Sequence, residues 1–330
     1  MSSSPESPAD DFPPFRPRPP WWGGDLQTLR NSLALSLGLL DLDLPGTRLE
    51  LAPGDGSGDR LVAVLNEGRA GARRPLAVLL HGLTGCEASG YMVATARHLT
   101  GRGHPVLRLN LRGAGPSAAT CRQRYHAGRG ADIAGALAAL DPVLLRDGVV
   151  LAGYSLGGNI LLNFLASHGA NLPVRAAASV SAPIDLAASS RRIQAWRNRL
   201  YERYLVRRMK ADWAEADITE EQRAALDSAR SVYEFDDRLV APQNGFGTAE
   251  RYYAECSAQR VMGRIAVPTL LIQAENDPWI PVDAYRAYDW AGNAKLTPLL
   301  SPGGGHVGFH QQGTPPNWHD ACIGQWFAAQ

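Results

Sequence analysis

Cysteine is scarce in this chain of 330 residues, and the four present, Cys86, Cys121, Cys256 and Cys322, stand far apart. No C-x-x-C pair and no Cys/His cluster occurs, which leaves zinc binding and dithiol redox chemistry without a basis. Free thiols in a reducing compartment are expected. Lysine is scarcer still, with Lys210 and Lys295 alone. Acids almost balance the arginines, and the formal net charge is +1. No global field therefore favours nucleic acid or an acidic partner. Long apolar runs are missing too. The longest, Leu33 to Leu44, is interrupted by Ser36, Asp41 and Asp43 and is too short to span a bilayer. Met1 to Pro20 has no apolar core of the kind a signal peptide needs. The expected location is the cytoplasm.

What is present is an α/β pattern. Residues 1–20 hold seven of the 23 prolines and read as a Pro-rich tail, extended or unordered until something docks it. Trp21-Trp22-Gly23-Gly24 suggests two indoles anchored on the body, followed by a helix from Asp25, as N-cap, towards Arg30. Thr47 to Ala52 and Arg60 to Asn66 alternate apolar with polar residues, which predicts a hairpin across the Gly/Asp-rich turn Pro53 to Asp59. Continuous apolar runs follow at Pro75–Leu80, Pro105–Asn110, Val149–Gly153 and Val174–Val180, as expected of strands covered on both faces. Between them, Tyr91–Leu99, Asp132–Leu145 and Ile160–Leu165 have helical spacing. This rhythm predicts a mostly parallel, twisted sheet with helices on both faces.

At Asp185 the rhythm stops. Residues 186 to 262 carry no strand-like run and read as a cap laid over the sheet, helical in its first half. The pattern resumes with a strand at Val267–Gln273, a helix near Asp283–Trp290, a strand at Leu296–Leu300 and a closing helix from Trp318. The organisation expected is a tail (1–20) and a single domain (21–330) with a cap insert at about 186–262.

The strand at Val149 stops at Gly153 and a helix begins within a few residues. Gly153-Tyr154-Ser155-Leu156-Gly157 therefore reads as a strand–turn–helix elbow that lifts a serine hydroxyl above the sheet. The two glycines are needed because the turn leaves no room for Cβ atoms. The plain alternative is a glycine-rich loop. A nucleophilic serine needs a histidine to take its proton and a carboxylate to orient the imidazole, in the order Ser, acid, His. Asp277 follows a late strand in Ala274-Glu275-Asn276-Asp277-Pro278, where Pro278 fixes the loop; a turn aspartate before proline would look the same. Asp185 is the competing acid, although it stands where a cap helix begins and N-capping also explains it.

His306 follows the final strand in Gly303-Gly304-Gly305-His306-Val307-Gly308, where three glycines would let the loop approach the elbow. His98, His104, His168 and His319 sit on or beside helices. His310, four residues on, would suit a two-histidine metal face but lacks the H-E-x-x-H frame. Two backbone amides are needed for an oxyanion: one from Leu156, and one from Leu83 in the loop His81-Gly82-Leu83-Thr84-Gly85. His81 reads as a group that orders this loop, and Cys86 as a small buried residue.

With these motifs in place the chain resembles the YheT-like α/β-hydrolases, relatives of the animal α/β-hydrolase-domain lipases, from about Phe15 to the C-terminus. Besides the segments above, the resemblance rests on Trp21 to Leu29, Asn110-Leu111-Arg112-Gly113, Tyr125-His126-Ala127-Gly128 and Ser181 to Leu186. In the cap it rests on Phe235-Asp236-Asp237, Gly245-Phe246 and Tyr252-Tyr253. It implies an α/β-hydrolase fold, a charge relay carried by Ser155, Asp277 and His306, and esterase or acylglycerol-lipase chemistry on a small acyl ester. No cofactor and no metal is called for. Eukaryotic relatives carry an N-terminal membrane anchor that is absent from these residues, so membrane lipids are less directly implied as substrates. Some members transfer the acyl group to an alcohol. Loss of activity in a scaffold that merely binds is a third reading, against which the intact Ser/Asp/His set speaks.

The cap carries Arg191, Arg192, Arg197, Arg199, Arg203, Arg207, Arg208 and Lys210 against little acid. Ile193, Trp196, Leu200 and Tyr204 are spaced to share one face, expected to pack on the sheet while the basic face is solvated. The alternative is a weak contact with a membrane surface.

Overall fold

The computed structural model describes residues 11–313 and 316–330. The strands are β1 (Thr47–Leu51), β2 (Leu61–Asn66), β3 (Leu76–Leu80), β4 (Val106–Leu109), β5 (Val149–Tyr154), β6 (Val174–Val180), β7 (Thr269–Ala274) and β8 (Leu296–Ser301). They form one sheet in the order β1-β2-β4-β3-β5-β6-β7-β8. β1 and β2 make the predicted antiparallel hairpin, β2 pairs antiparallel with β4, and every pairing from β4 to β8 is parallel.

The helices before the cap are α1 (Gly24–Ser36), α2 (Gly90–Gly101), α3 (Ala131–Ala138), α4 (Pro142–Leu145) and α5 (Leu156–His168). Those of the cap are α6 (Leu186–Gln194), α7 (Arg199–Asp212), α8 (Glu220–Ser228), α9 (Val232–Phe235), α10 (Ala241–Gln243) and α11 (Ala249–Cys256). α12 (Asp283–Ala287) and α13 (Trp318–Ala328) close the chain.

Strand alternation divides the core in two. Ala77 and Leu79 of β3 pack with Met92 and Leu99 of α2 and Ile323 of α13. Val78 and Leu80 face the opposite way, onto Ile133 of α3 and Ile160 and Phe164 of α5. Because helices cover both faces, β3 and β5 are buried at every position. That burial is why they appear in the sequence as unbroken apolar runs.

Several elements depart from expectation. The helix expected over Asp132–Leu145 is two pieces. Pro142 cannot donate to a continuing helix, and the Asp141 carboxylate accepts from the Val143 amide at 2.9 Å to start α4 afresh. α1 begins at Gly24 and runs on to Ser36, and Asp25 does not cap it. Its carboxylate instead accepts from Arg197 and Tyr201 of the cap, both at 3.0 Å. Trp21 is half-buried, but Trp22 stays 59% exposed, so only one indole docks. The chain is already seated ahead of them. Phe15 stacks edge-on against Phe309 and Trp318, with centroids 5.9 and 5.8 Å away. Residues 1–10 of the expected tail lie outside the described residues.

The insert between β6 and β7 is helical throughout, not only in its first half. Its own core gathers Leu205, Val206, Met209, Trp213, Phe235 and Tyr252. The apolar face expected to pack on the sheet does not do so. Ile193 is buried, but Trp196 and Leu200 are 83% and 77% exposed and Tyr204 is 37% exposed. The cause is a break in phase: α6 ends at Gln194, and a 3-10 turn at Trp196–Asn198 precedes α7. A single 3.6-residue period cannot run through that turn, and α7 buries a different stripe, Leu205, Val206 and Met209.

Candidate active site

β5 ends at Tyr154 and α5 starts at Leu156, so Ser155 alone makes the turn. Its backbone has φ 51° and ψ −122°, a conformation that costs a non-glycine residue about 1–3 kcal/mol. The geometry is held by the Ser155 amide, which donates to Val180 O at 2.8 Å, and by its carbonyl, which accepts from Gly158 N at 2.9 Å. A Cβ on Gly153 would lie 2.5 Å from Gly157 O, and one on Gly157 would lie 2.3 Å from His81 O. Side chains at either position would push strand, helix and the neighbouring loop apart.

His306 Nε2 lies 2.9 Å from Ser155 Oγ, and His306 Nδ1 lies 2.9 Å from Asp277 Oδ2. A carboxylate only accepts, so the proton sits on Nδ1 and Nε2 is left to accept from the serine hydroxyl. The other carboxylate oxygen, Asp277 Oδ1, accepts from the amides of Trp279 and Ile280 at 2.8 and 3.0 Å. Asp277 and His306 are both buried. The Trp279 ring lies over the imidazole with centroids 4.4 Å apart, which limits its rotation. Asp185, the competing acid, accepts from the Ala188 amide at 2.9 Å and caps α6.

The glycines before His306 do not serve an approach to the elbow, as expected from the sequence. A Cβ on Gly305 would lie 2.3 Å from Gly24 O and 2.8 Å from Gln27 Cβ, so the close partner is α1. From α1, Thr28 Oγ1 accepts from the His306 amide at 2.8 Å, and Asn276 Oδ1 accepts from Gly305 N at 3.0 Å. The N-terminal helix thus positions the histidine loop. His310 faces away, with its Nδ1 near Arg30 and Asn317. Among the described residues no three of His, Cys, Asp and Glu cluster as a metal site would require.

The loop after β3 runs beside the nucleophile, close enough that a Cβ on Gly82 would lie 3.0 Å from Ser155 Cβ. Gly82 N donates to Tyr91 Oη at 2.9 Å and Thr84 N to Tyr125 Oη at 3.0 Å. Between them the Leu83 amide has no acceptor among the described residues, and neither has that of Leu156. His81 orders this loop. Its Nδ1 donates to Gly82 O at 2.8 Å and its Nε2 accepts from Leu111 N at 3.0 Å, and burial lowers its pKa to about 4, which keeps it neutral.

Ser155, His306, Leu83 and Leu156 open on one cavity of about 290 Å³ between sheet, cap and α1, a size suited to a small ligand. Its walls are mainly apolar, with Leu186, Ile193, Leu205, Met209 and Trp213 from the cap.

Residues 75–312 match the family described as the alpha/beta hydrolase fold. The chain belongs to the α/β-hydrolase family. Over 288 residues this hydrolase is 34% identical to the Escherichia coli K12 protein named "Putative esterase YheT", covering 84% of this chain and 83% of that one. It is 27% identical to the Saccharomyces cerevisiae protein named "Medium-chain fatty acid ethyl ester synthase/esterase 2", over 77% of this chain and 62% of that one. It spans between 56% and 66% of the length of the eukaryotic relatives it matches. Among solved structures, the Pyrococcus furiosus esterase Pf2001 superposes with a TM-score of 0.58 at 14% identity, over 88% of this chain and 92% of that one. That likeness bears on the fold. No helix among the described residues of this hydrolase is long and apolar enough to cross a membrane.

Sequence reasoning missed the polar groups in the cavity wall. Asp236, on a π-helical stretch (Asp236–Val240) after α9, lines the cavity and accepts from Tyr253 Oη at 2.7 Å; π-helical turns recur at functional sites. Burial pushes the Asp236 carboxyl up to about 7, against the opposing effect of the Tyr253 hydroxyl. The signal lay in the cap motifs Phe235-Asp236-Asp237 and Tyr252-Tyr253, but spacing alone does not turn them inward.

The folded protein keeps this proton from about pH 4, where an unfolded aspartate releases it, up to about 7. The folded state then binds more protons than the unfolded one, so stability falls as pH rises through that window and levels off above it. The Asp236→Asn variant is expected to lack this slope. Thermal melts of both proteins from pH 4 to 8 check it, and parallel curves would refute the assignment.

Proposed function

We propose that this hydrolase cleaves carboxylic esters, short- to medium-chain acyl esters or acylglycerols, through an acyl-enzyme on Ser155. The observation that carries the reading is the unbroken hydrogen-bonded line Asp277–His306–Ser155 at the floor of an apolar cavity. His306 Nε2 takes the hydroxyl proton as Ser155 Oγ attacks the ester carbonyl, and Asp277 stabilises the imidazolium. The Leu83 and Leu156 amides receive the oxyanion. His306 then protonates the departing alcohol, and water, deprotonated by the same imidazole, releases the acid and restores the serine.

Hydrolysis of p-nitrophenyl esters from acetyl to palmitoyl tests the reading. Turnover is expected to peak at short to medium chains because the cavity is small. A folded protein that turns over none of them would overturn simple ester hydrolysis. A second reading is acyl transfer from the same acyl-enzyme to an alcohol, supported by the yeast relative named as a synthase and esterase. Product analysis with added ethanol separates the two. Hydrolysis predicts free acid throughout, whereas transfer predicts ethyl ester growing at the expense of acid.

A further inference from the structure

α1 is assembled inside out. Its buried residues are Gln27 and Ala34, while Leu26, Leu29 and Leu33 are exposed together with Trp22 just ahead of the helix. Within the helix, Leu26, Leu29 and Leu33 stand at i, i+3 and i+7 and share one stripe. The helix is held by a polar lock in place of an apolar face. Gln27 Nε2 donates to Trp21 O at 2.6 Å and to His310 O at 3.2 Å, and its Oε1 accepts from His310 N at 2.7 Å. Leu26, Leu29 and Leu33 leave 42%, 37% and 44% of their surface in solvent, so only part of each is used in seating α1. Exposure continues through Leu35, Leu37 and Leu39.

The cap adds a matching surface on the same side, because Arg197 and Tyr201 bind Asp25 of α1. Trp196 and Leu200 project from it. Beyond Leu200 the outward face of α7 continues with Arg203, Tyr204, Arg207 and Arg208. A groove along this helix is lined by Arg199, Arg203, Arg207, Lys210 and Arg230, against Glu202 as its one acid. In a chain of net charge +1, this is a local positive field. Both surfaces reach the catalytic cavity, since Leu35 and Leu40 on one side and the partly exposed Tyr204 and Arg208 on the other line it.

We propose that α1 and the outer face of α7 form a docking surface for an anionic lipid–water interface, with the leucines, Trp196 and Leu200 inserted and the arginines on lipid phosphates. Apolar side chains flanked by basic ones, on helices lying in the interfacial plane, are what such a surface binds. This side of the cavity is then pressed to the interface, and a lipophilic ester passes into the cavity without crossing water. That consequence rests on the proposed ester hydrolysis; the docking itself does not.

Flotation of the full chain with phosphatidylcholine vesicles, with and without phosphatidylglycerol, tests the proposal. Binding is expected to the anionic vesicles at low salt and to weaken as salt rises. Leu29→Ser with Leu33→Ser, and separately Trp196→Ala with Leu200→Ser, are expected to abolish it. Neutralising Arg199, Arg203 and Arg207 to Gln is expected to lower partitioning about fivefold per charge. The Leu and Trp variants replace exposed side chains outside the cavity, and should hydrolyse soluble p-nitrophenyl acetate like the wild type while losing activity on a vesicle-borne ester. Wild type that stays with the soluble fraction overturns the proposal, as does binding that survives both apolar variants. A dimer in solution that these same variants dissociate would assign the face to a second copy of the chain instead. Wild type that floats but cleaves no ester would leave docking standing and overturn the hydrolase reading alone.

Discussion

Replacing Ser155 with alanine is expected to lower kcat on p-nitrophenyl esters about a millionfold, with the fold intact. His306→Ala should cost as much, and Asp277→Asn about ten-thousandfold. The ranking follows from the contacts. Ser155 and His306 exchange the proton itself across 2.9 Å. Asp277 only holds the ring, with one oxygen on Nδ1 and the other on two backbone amides. An asparagine can keep the amide contacts while presenting a donor to Nδ1, which reverses the tautomer and turns an N–H towards the serine. Because the three act as a unit, Ser155→Ala combined with His306→Ala should lose nearly nothing more than either alone. Single-turnover and steady-state rates of the four variants check this. Losses that multiply would mean the serine and histidine act independently. Circular dichroism should match the wild type, since the strained turn is held by backbone hydrogen bonds that alanine retains.

The largest stability effect is expected from Arg112, just past β4. Its guanidinium is buried and is held by Asp132 at 2.6 and 2.9 Å, Asp59 at 2.9 Å and Asp55 at 2.8 Å. Burial alone would lower its pKa, but the Asp132 and Asp55 carboxylates more than reverse this and leave it above its ordinary value. One side chain thus fastens the β1–β2 turn to α3. Arg112→Ala would leave the buried Asp59 carboxylate with no guanidinium beside it and Asp132 with that of Arg129 alone, at 3.4 Å, and is expected to cost about 3–5 kcal/mol. The control is Arg112→Met combined with Asp59→Asn and Asp132→Asn. Removing the charges together should recover much of that loss, because desolvation then no longer opposes folding. Urea midpoints for both variants decide. If the triple variant is no more stable than Arg112→Ala, uncompensated charge is not the cause.

The parts of the candidate site that were legible in the sequence are local. Ser155, Asp277 and His306 each follow a strand end and stand beside glycine or proline, so short-range backbone constraints mark them. The structure brings these three side chains together, with Leu83 and Leu156 lining the same cavity. The strands were legible because burial on both faces leaves continuous apolar runs. What was not legible depends on tertiary neighbours. The stripe Ile193/Trp196/Leu200/Tyr204 has perfect helical spacing but is cut by a 3-10 turn, which spacing alone cannot reveal. Asp25 suits an N-cap and is drawn instead to Arg197 and Tyr201, residues more than 170 positions away. The three glycines before His306 accommodate α1, Phe15 and Phe309 and not the elbow. Asp236 stands in a cap motif that the sequence does show, but only the folded cap turns it inward and buries it against Tyr253.

The central claim, that Ser155 is the nucleophile, is tested most directly by reacting the folded protein with a fluorophosphonate and locating the adduct by peptide mass spectrometry. A stoichiometric adduct on Ser155 is expected, absent from Ser155→Ala and formed far more slowly in His306→Ala. A folded wild type that never labels, or an adduct on any other residue, would contradict it.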